Sequence, residues 1–196
     1  MRLVHEKYRE IEESRRLGAL RSLVPPGEGR ARFSPVFRDS RVMNLPLPPE
    51  RVFEPIRRIG GAVGWYCADW LWSIRGWMDR LVGGIGMRRG RRDPEVLEVG
   101  DAVDCWRVEA FEADRSLLLA LEMTIPGRGW LEFDVSGDDS ASTVRLTATY
   151  EAGGLAGCIY WYLSYPFHEM LFTGMLRGIG AAALSARDRR QLSQER

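Results

Sequence analysis

The chain has 196 residues and a mass of 22.3 kDa, room for one hydrophobic core and not for two ordinary domains. With 45% hydrophobic and 28% charged residues it falls outside the disordered, collagen-like and disulfide-framework classes. Its 28 basic and 27 acidic side chains leave a formal charge of +1, which gives no electrostatic ground for nucleic acid or an acidic membrane as partner.

Arginine supplies every basic side chain except Lys7, and Asn44 is the sole asparagine. This skew resembles the codon bias of a GC-rich bacterial genome, so arginine abundance is discounted as a functional signal. Cys67, Cys105 and Cys158 form no CxxC pair and have no nearby histidine. They fit reduced thiols of a cytoplasmic protein and predict no metal site. The stretch Met1 to Glu10 is polar and lacks the apolar segment of a signal peptide.

Residues 1–38 read as a charged arm, partly helical or disordered, with a linker at Val24-Pro25-Pro26-Gly27. A strand is expected over Arg41 to Leu47, at an edge or ending at Pro46. Pro48-Pro49-Glu50 opens a short helix whose Val52, Phe53, Ile56 and Ile59 share a face, and Gly60-Gly61 stops it. A second helix is predicted over Trp65 to Val82 from the spacing of Cys67, Leu71, Ile74, Met78 and Leu81, ending at Gly83-Gly84.

Beyond the basic segment Met87 to Asp93 the period changes to 2. A long strand is expected to carry Ala102, Asp104, Trp106, Val108 and Ala110 on one face. Arg115 to Met123 and Trp130 to Val135 follow. A two-residue turn at Pro126-Gly127 would place Leu118, Ala120 and Glu122 on the face of Leu131, Phe133 and Val135. Val144, Leu146, Ala148 and Tyr150 alternate with polar residues in a last strand. Gly153 to Leu184 reads as a long helix, and 187–196 as a polar tail closing a domain of 39–186. The helix approaches the ~20 apolar residues of a membrane span, but Pro166, His168 and Glu169 in its middle argue against a transmembrane segment.

Strand, two helices, antiparallel strands and a long C-terminal helix is the order of the α+β helix-grip fold of START-like carriers and polyketide cyclases. The blocks Gly64-Trp65-Tyr66-Cys67-Ala68-Asp69-Trp70, Arg88-Arg89-Gly90-Arg91-Arg92-Asp93-Pro94, Gly100-Asp101-Ala102-Val103-Asp104-Cys105-Trp106, Pro126-Gly127-Arg128-Gly129-Trp130 and Tyr160-Trp161-Tyr162 with Pro166-Phe167-His168 resemble an uncharacterised bacterial domain. That domain follows short-chain dehydrogenase-like units, and the likeness runs from Arg41 to Ala183. The resemblance implies a curved sheet wrapped around the terminal helix and an apolar cavity between them. It also implies a short-chain dehydrogenase-like partner in trans. Gly84, Gly86 and Gly90 do not make a dinucleotide fingerprint, so no cofactor is expected on this chain.

Polar groups inside such a cavity would orient a small hydrophobic ligand. The candidates are Asp104, Glu122, Tyr150, Tyr165 and His168, with Trp65, Trp106 and Trp161 as walls, Asp69 as a further ligand-binding candidate, and Arg88 and Arg91 at the mouth. An odd turn near Glu112 to Arg115 would bring Asp104 and Glu122 onto one face, where one of the two would be held protonated for acid–base chemistry. An even turn would separate them, each pairing with an arginine such as Arg107 or Arg128. His168 is a candidate proton carrier or a packing residue. Arg88 to Arg92 is a phosphate contact or a solvated edge pairing with Asp93, Glu95 and Glu98; without interleaved aromatics it is no nucleic-acid surface. Three functions stay open: a carrier of a small amphipathic molecule serving a separate oxidoreductase; a cyclase, isomerase or hydratase using Asp104, Glu122 or His168; and a partner-binding module presenting Trp70 or Trp77. An oligomer is left open.

Overall fold

The computed structural model describes residues 34–67 and 90–194, with single positions at 77, 81 and 83. The arm up to Phe33, most of the helix expected over Trp65 to Val82, Asp69 and Arg88 lie outside the described residues. Six strands form one antiparallel sheet in the order β1-β6-β5-β4-β3-β2: β1 Val36–Leu45, β2 Ala102–Val103, β3 Trp106–Glu112, β4 Ser116–Leu121, β5 Gly127–Gly137 and β6 Ser142–Ala152. Helix α1, Pro49–Arg57, follows β1, and α2, Gly154–Gln194, follows β6. This is the expected helix-grip architecture.

In β6 every second residue from Ser142 to Ala152 is buried, so the sheet has one apolar face. α1 covers part of it. Pro49 starts the helix without wasting an N–H, Glu50 and Arg57 sit at the ends where their charges suit the helix dipole, and Val52, Phe53, Pro55 and Ile56 are buried. Arg91 closes its far end, donating from Nη1 to the carbonyls of Arg57 and Ile59, 2.8 Å each.

β1 begins at Val36, not at the expected Arg41, and stops before Pro46. Among the described residues its only strand neighbour is β6, which makes it an edge strand of this sheet. α2 extends ten residues past the expected end at Leu184. Leu171, Phe172, Met175, Leu176, Ile179 and Ala183 form its buried stripe; each large side chain so buried contributes roughly 1.5–3 kcal/mol. Trp161 meets Phe37, His168 approaches Asp39, and Gly180 lies against Met43 and Leu45, so α2 runs beside β1 in the same direction.

Two expectations about register fail. The link between β4 and β5 is the five residues Glu122 to Pro126, not a two-residue turn. Leu117 pairs with Phe133 and Leu119 with Leu131, so Leu117 and Leu119 face inward and Leu118, Ala120 and Glu122 do not. A change of one residue in loop parity turns every side chain over. The long strand expected over Ala102 to Ala110 is a hairpin: Val103 pairs with Trp106, and Asp104 sits in the turn with φ of 54°. There its Oδ2 accepts hydrogen bonds from Trp65 Nε1 at 2.9 Å and Gly61 N at 3.1 Å.

α2 carries a notch for the chain leaving α1. A Cβ at Gly178 would lie 2.6 Å from Tyr66 Cβ and 2.7 Å from the Tyr66 carbonyl oxygen. Alanine normally stabilises a helix over glycine by about 1 kcal/mol. Here Gly178→Ala is expected to lower stability by roughly 1–3 kcal/mol in urea denaturation, since a backbone atom must move. Asp104→Ala, which strands two donors of a buried turn, is expected to destabilise by roughly 2–5 kcal/mol, and Asp104→Asn by less, because asparagine tolerates the left-handed backbone and keeps an acceptor.

Candidate functional site

The two carboxylates proposed as an acid–base pair are each held by other groups. Three residues, Ala113 to Arg115, separate the paired Glu112 and Ser116, an odd turn that by itself would put Asp104 and Glu122 on one face. The register then shifts by one between Val108 and Ala110, which undoes that parity. Glu122 therefore stands opposite Cys105, whose carbonyl accepts its N–H at 2.9 Å. Its Oε1 meets Arg107 Nε at 2.6 Å, the pairing weighed as the alternative. Asp104, as shown above, braces Trp65.

Trp65 is 1% exposed and packs against Trp106 with ring centroids 5.8 Å apart; both are core residues. Besides capping α1, Arg91 donates to the carbonyls of Asp93 and Val96. Arg92 pairs with Asp101 at 2.8 Å and Glu98 at 3.0 Å, one of the acidic partners named for a solvated edge. The middle of the sheet's inner face, where a cavity was expected, is filled by Val52, Phe53 and Ile56 of α1 together with Leu131, Phe133, Leu146 and Met175.

Tyr150, Trp161, Tyr165 and His168 do come together, along the line where α2 runs beside β1. Phe37 and Tyr150 are direct partners across β1 and β6. The Trp161 indole lies nearly parallel to both, with centroids at 5.2 Å and 5.8 Å. The Tyr150 hydroxyl donates to the Pro126 carbonyl at 2.8 Å. His168 stands edge-on to Trp161 and tilted against Phe172, both at 4.9 Å, while Tyr165 flanks it and is half open to solvent.

Beneath His168 lies a group the sequence reading missed. Asp39, with its side chain 3% exposed, places Oδ2 3.8 Å from His168 Nδ1 and Oδ1 3.0 Å from Arg41 Nη1. Burial pushes its carboxyl above the ordinary value; Arg41 opposes that shift and Glu169 adds to it. The signal was present: Phe37, Asp39, Arg41, Met43 and Leu45 alternate as one face, the same in-phase carboxylate that drew attention to Asp104. It was hidden because the strand was begun at Arg41.

Two surface clefts flank these elements. One, of about 270 Å³, is lined by Glu50, Arg51, Glu54, Arg57 and Asp114. The other, of about 200 Å³, continues the β1/α2 line and is lined by Arg41, Val42, Met43, Thr173, Leu176 and Arg177. Among the described residues no three His, Cys, Asp or Glu side chains gather to hold a metal ion, and no helix is long and apolar enough to cross a membrane.

Because the Asp39 pKa is higher in the folded protein than in the unfolded chain, the folded state binds more protons between the two values. The stability this supplies is full below the unfolded value of about 3.9 and is lost as pH rises through the folded one. Urea denaturation from pH 4 to 7 is expected to show that decline in the native protein and a flatter profile in Asp39→Asn.

A search of curated proteins finds no match. Among solved structures, norcoclaurine synthase from Thalictrum flavum overlaps 83% of this chain and 97% of its own at 7% identity, with a TM-score of 0.49. The protein Ara h 8.0201 overlaps 77% and 99% at 13% identity and a TM-score of 0.43. An aromatase/cyclase from a Streptomyces species overlaps 76% and 94% at 14% identity and a TM-score of 0.43. Overlaps this loose add nothing on function. The profile of one family, described as "Protein of unknown function (DUF2867)", matches residues 34–175, from two residues before β1 to the buried stripe of α2, and the chain belongs to that family.

Proposed function

We propose that this chain binds a small hydrophobic or amphipathic molecule along the line between β1 and α2. The rings of Phe37, Trp161, Tyr165 and Phe172 would take its apolar part, and the Asp39, Arg41 and His168 group would orient its polar end. The observation that carries this reading is the gathering of a carboxylate, a guanidinium and an imidazole on the apolar face of the sheet, beside a wall of aromatic rings. Moving such groups out of water is costly even when they are paired, and hydrophobic replacements of the same volume are often as stable. A few polar groups among apolar walls, one of them a carboxyl raised by burial, are the usual composition of a ligand site.

The enzyme reading through Asp104 and Glu122 loses its premise, since each is engaged elsewhere. The resemblance of the sequence blocks to domains that follow short-chain dehydrogenase-like units supports a cytoplasmic oxidoreductase as the partner that supplies or receives the molecule. One observation favours a second reading, protein interaction: Trp77 is 60% exposed, and Leu155, Tyr162 and Leu163 of α2 are 77%, 68% and 70% exposed. A protein that oligomerises through these residues would lose its larger species on Trp77→Ser.

The ligand reading is tested with the neutral fluorescent probe phenylnaphthylamine on the full chain. Saturable enhancement is expected, with Tyr165→Ala, a half-exposed position, weakening it roughly two- to tenfold. Native mass spectrometry of freshly purified protein is expected to show a co-purified small molecule. A probe signal that never saturates, together with a bare protein mass, overturns the reading.

A further inference from the structure

The far end of the β1/α2 line differs in charge from every other concavity described above. Its cleft has an apolar floor of Met43 and Leu176, the side chain of Thr173 and two guanidinium groups, Arg41 and Arg177. Arg41 is gripped from behind by Asp39, Nη1 to Oδ1 at 3.0 Å and Nη2 to Oδ2 at 3.3 Å, which fixes its plane. Its Nε is sealed from solvent, so what it can offer the cleft is the hydrogen that each Nη keeps beyond its contact with Asp39. Arg177 is exposed and has no carboxylate partner among the described residues. Asp39 thus offsets one of the two positive charges and leaves the other. Glu169 lies eight residues back on α2, about 12 Å along the axis. The other cleft mixes Arg51 and Arg57 with Glu50, Glu54 and Asp114 and compensates itself.

We propose that this cleft receives the acidic head of an amphipathic ligand, a carboxylate lying between Arg41 and Arg177 with its first methylenes on Met43 and Leu176. Arg177 suits this role because its planar fork matches a carboxylate's two oxygens, while Arg41, its fork on Asp39, adds single Nη donors. A volume of about 200 Å³ is below the range of sites that enclose a whole drug-sized molecule, so the cleft takes a head group while the remainder lies along α2. This inference rests on the ligand-binding reading above and adds the charge class of the ligand.

The test compares decanoate with decanol by isothermal titration calorimetry on the full chain at low ionic strength. Decanoate is expected to bind at least tenfold tighter than decanol and to lose that advantage in high salt. Arg177→Glu, an exposed change that leaves the fold intact by circular dichroism, is expected to weaken decanoate roughly tenfold or more and decanol by less than about twofold. Arg41→Lys keeps a charge beside Asp39 but loses the planar fork, and is expected to weaken decanoate as well. If both compounds bind and Arg177→Glu alters neither, the acidic-head site is overturned while the ligand-binding reading stands. If decanol binds and decanoate does not, the inference is likewise overturned. If neither binds the native protein, both fail together.

Discussion

The structure depends on one constraint: a six-stranded sheet with a single apolar face that has to be kept from water. The strict alternation of β6, with Val144, Leu146 and Ala148 inward and Arg145, Thr147 and Thr149 outward, leaves no choice about which side is covered. α1, nine residues long, reaches only part of that face. The rest falls to α2, whose stripe from Leu171 to Ala183 seals the sheet while its first half, around Tyr162 and Leu163, keeps apolar side chains in solvent. Helix and sheet are therefore in register with each other only over part of their length, and the residues with chemistry gather where close packing gives way.

That boundary explains why Asp39, Arg41 and His168 are tolerated. In the middle of the sheet, Phe133, Leu146 and Met175 leave no polar neighbour and a charge would be uncompensated. At the edge strand, Asp39 has Arg41 two residues on along the same face, and His168 comes down from α2. Each group lowers the desolvation cost of the next. The same logic makes Asp104 structural: a turn with a left-handed residue between two core tryptophans needs an acceptor for Trp65 Nε1, and the carboxylate supplies it.

Much of this was legible in the residues. The period of 2 in β6, the proline entry and glycine exit of α1, and the long apolar run of α2 are local signals, and local signals survive folding. What was lost depends on counting across loops. The shift between Val108 and Ala110 and the five-residue link before Gly127 each invert a parity that no stretch of sequence displays, and with them went the faces of Leu117, Leu118 and Glu122. The sequence singled out the helical half of this gathering, Trp161, Tyr165 and His168, because those aromatic side chains stand out on one helix. Its strand half, Phe37 and Asp39, was not singled out, because an edge strand with three charges in its first six residues resembles the charged segment before it.

The placement of β1 also bears on synthesis. Val36 pairs with Glu151 and Asn44 with Thr143, partners about a hundred residues or more downstream, and the helix that completes the group comes later still. Closing so long a segment carries an entropic penalty that only the finished set of contacts can offset. A nascent chain on the ribosome would therefore hold Asp39 and Arg41 hydrated and ordinary until β6 and α2 had emerged, so the pocket chemistry arises only once those elements are made rather than maturing alongside the earlier strands.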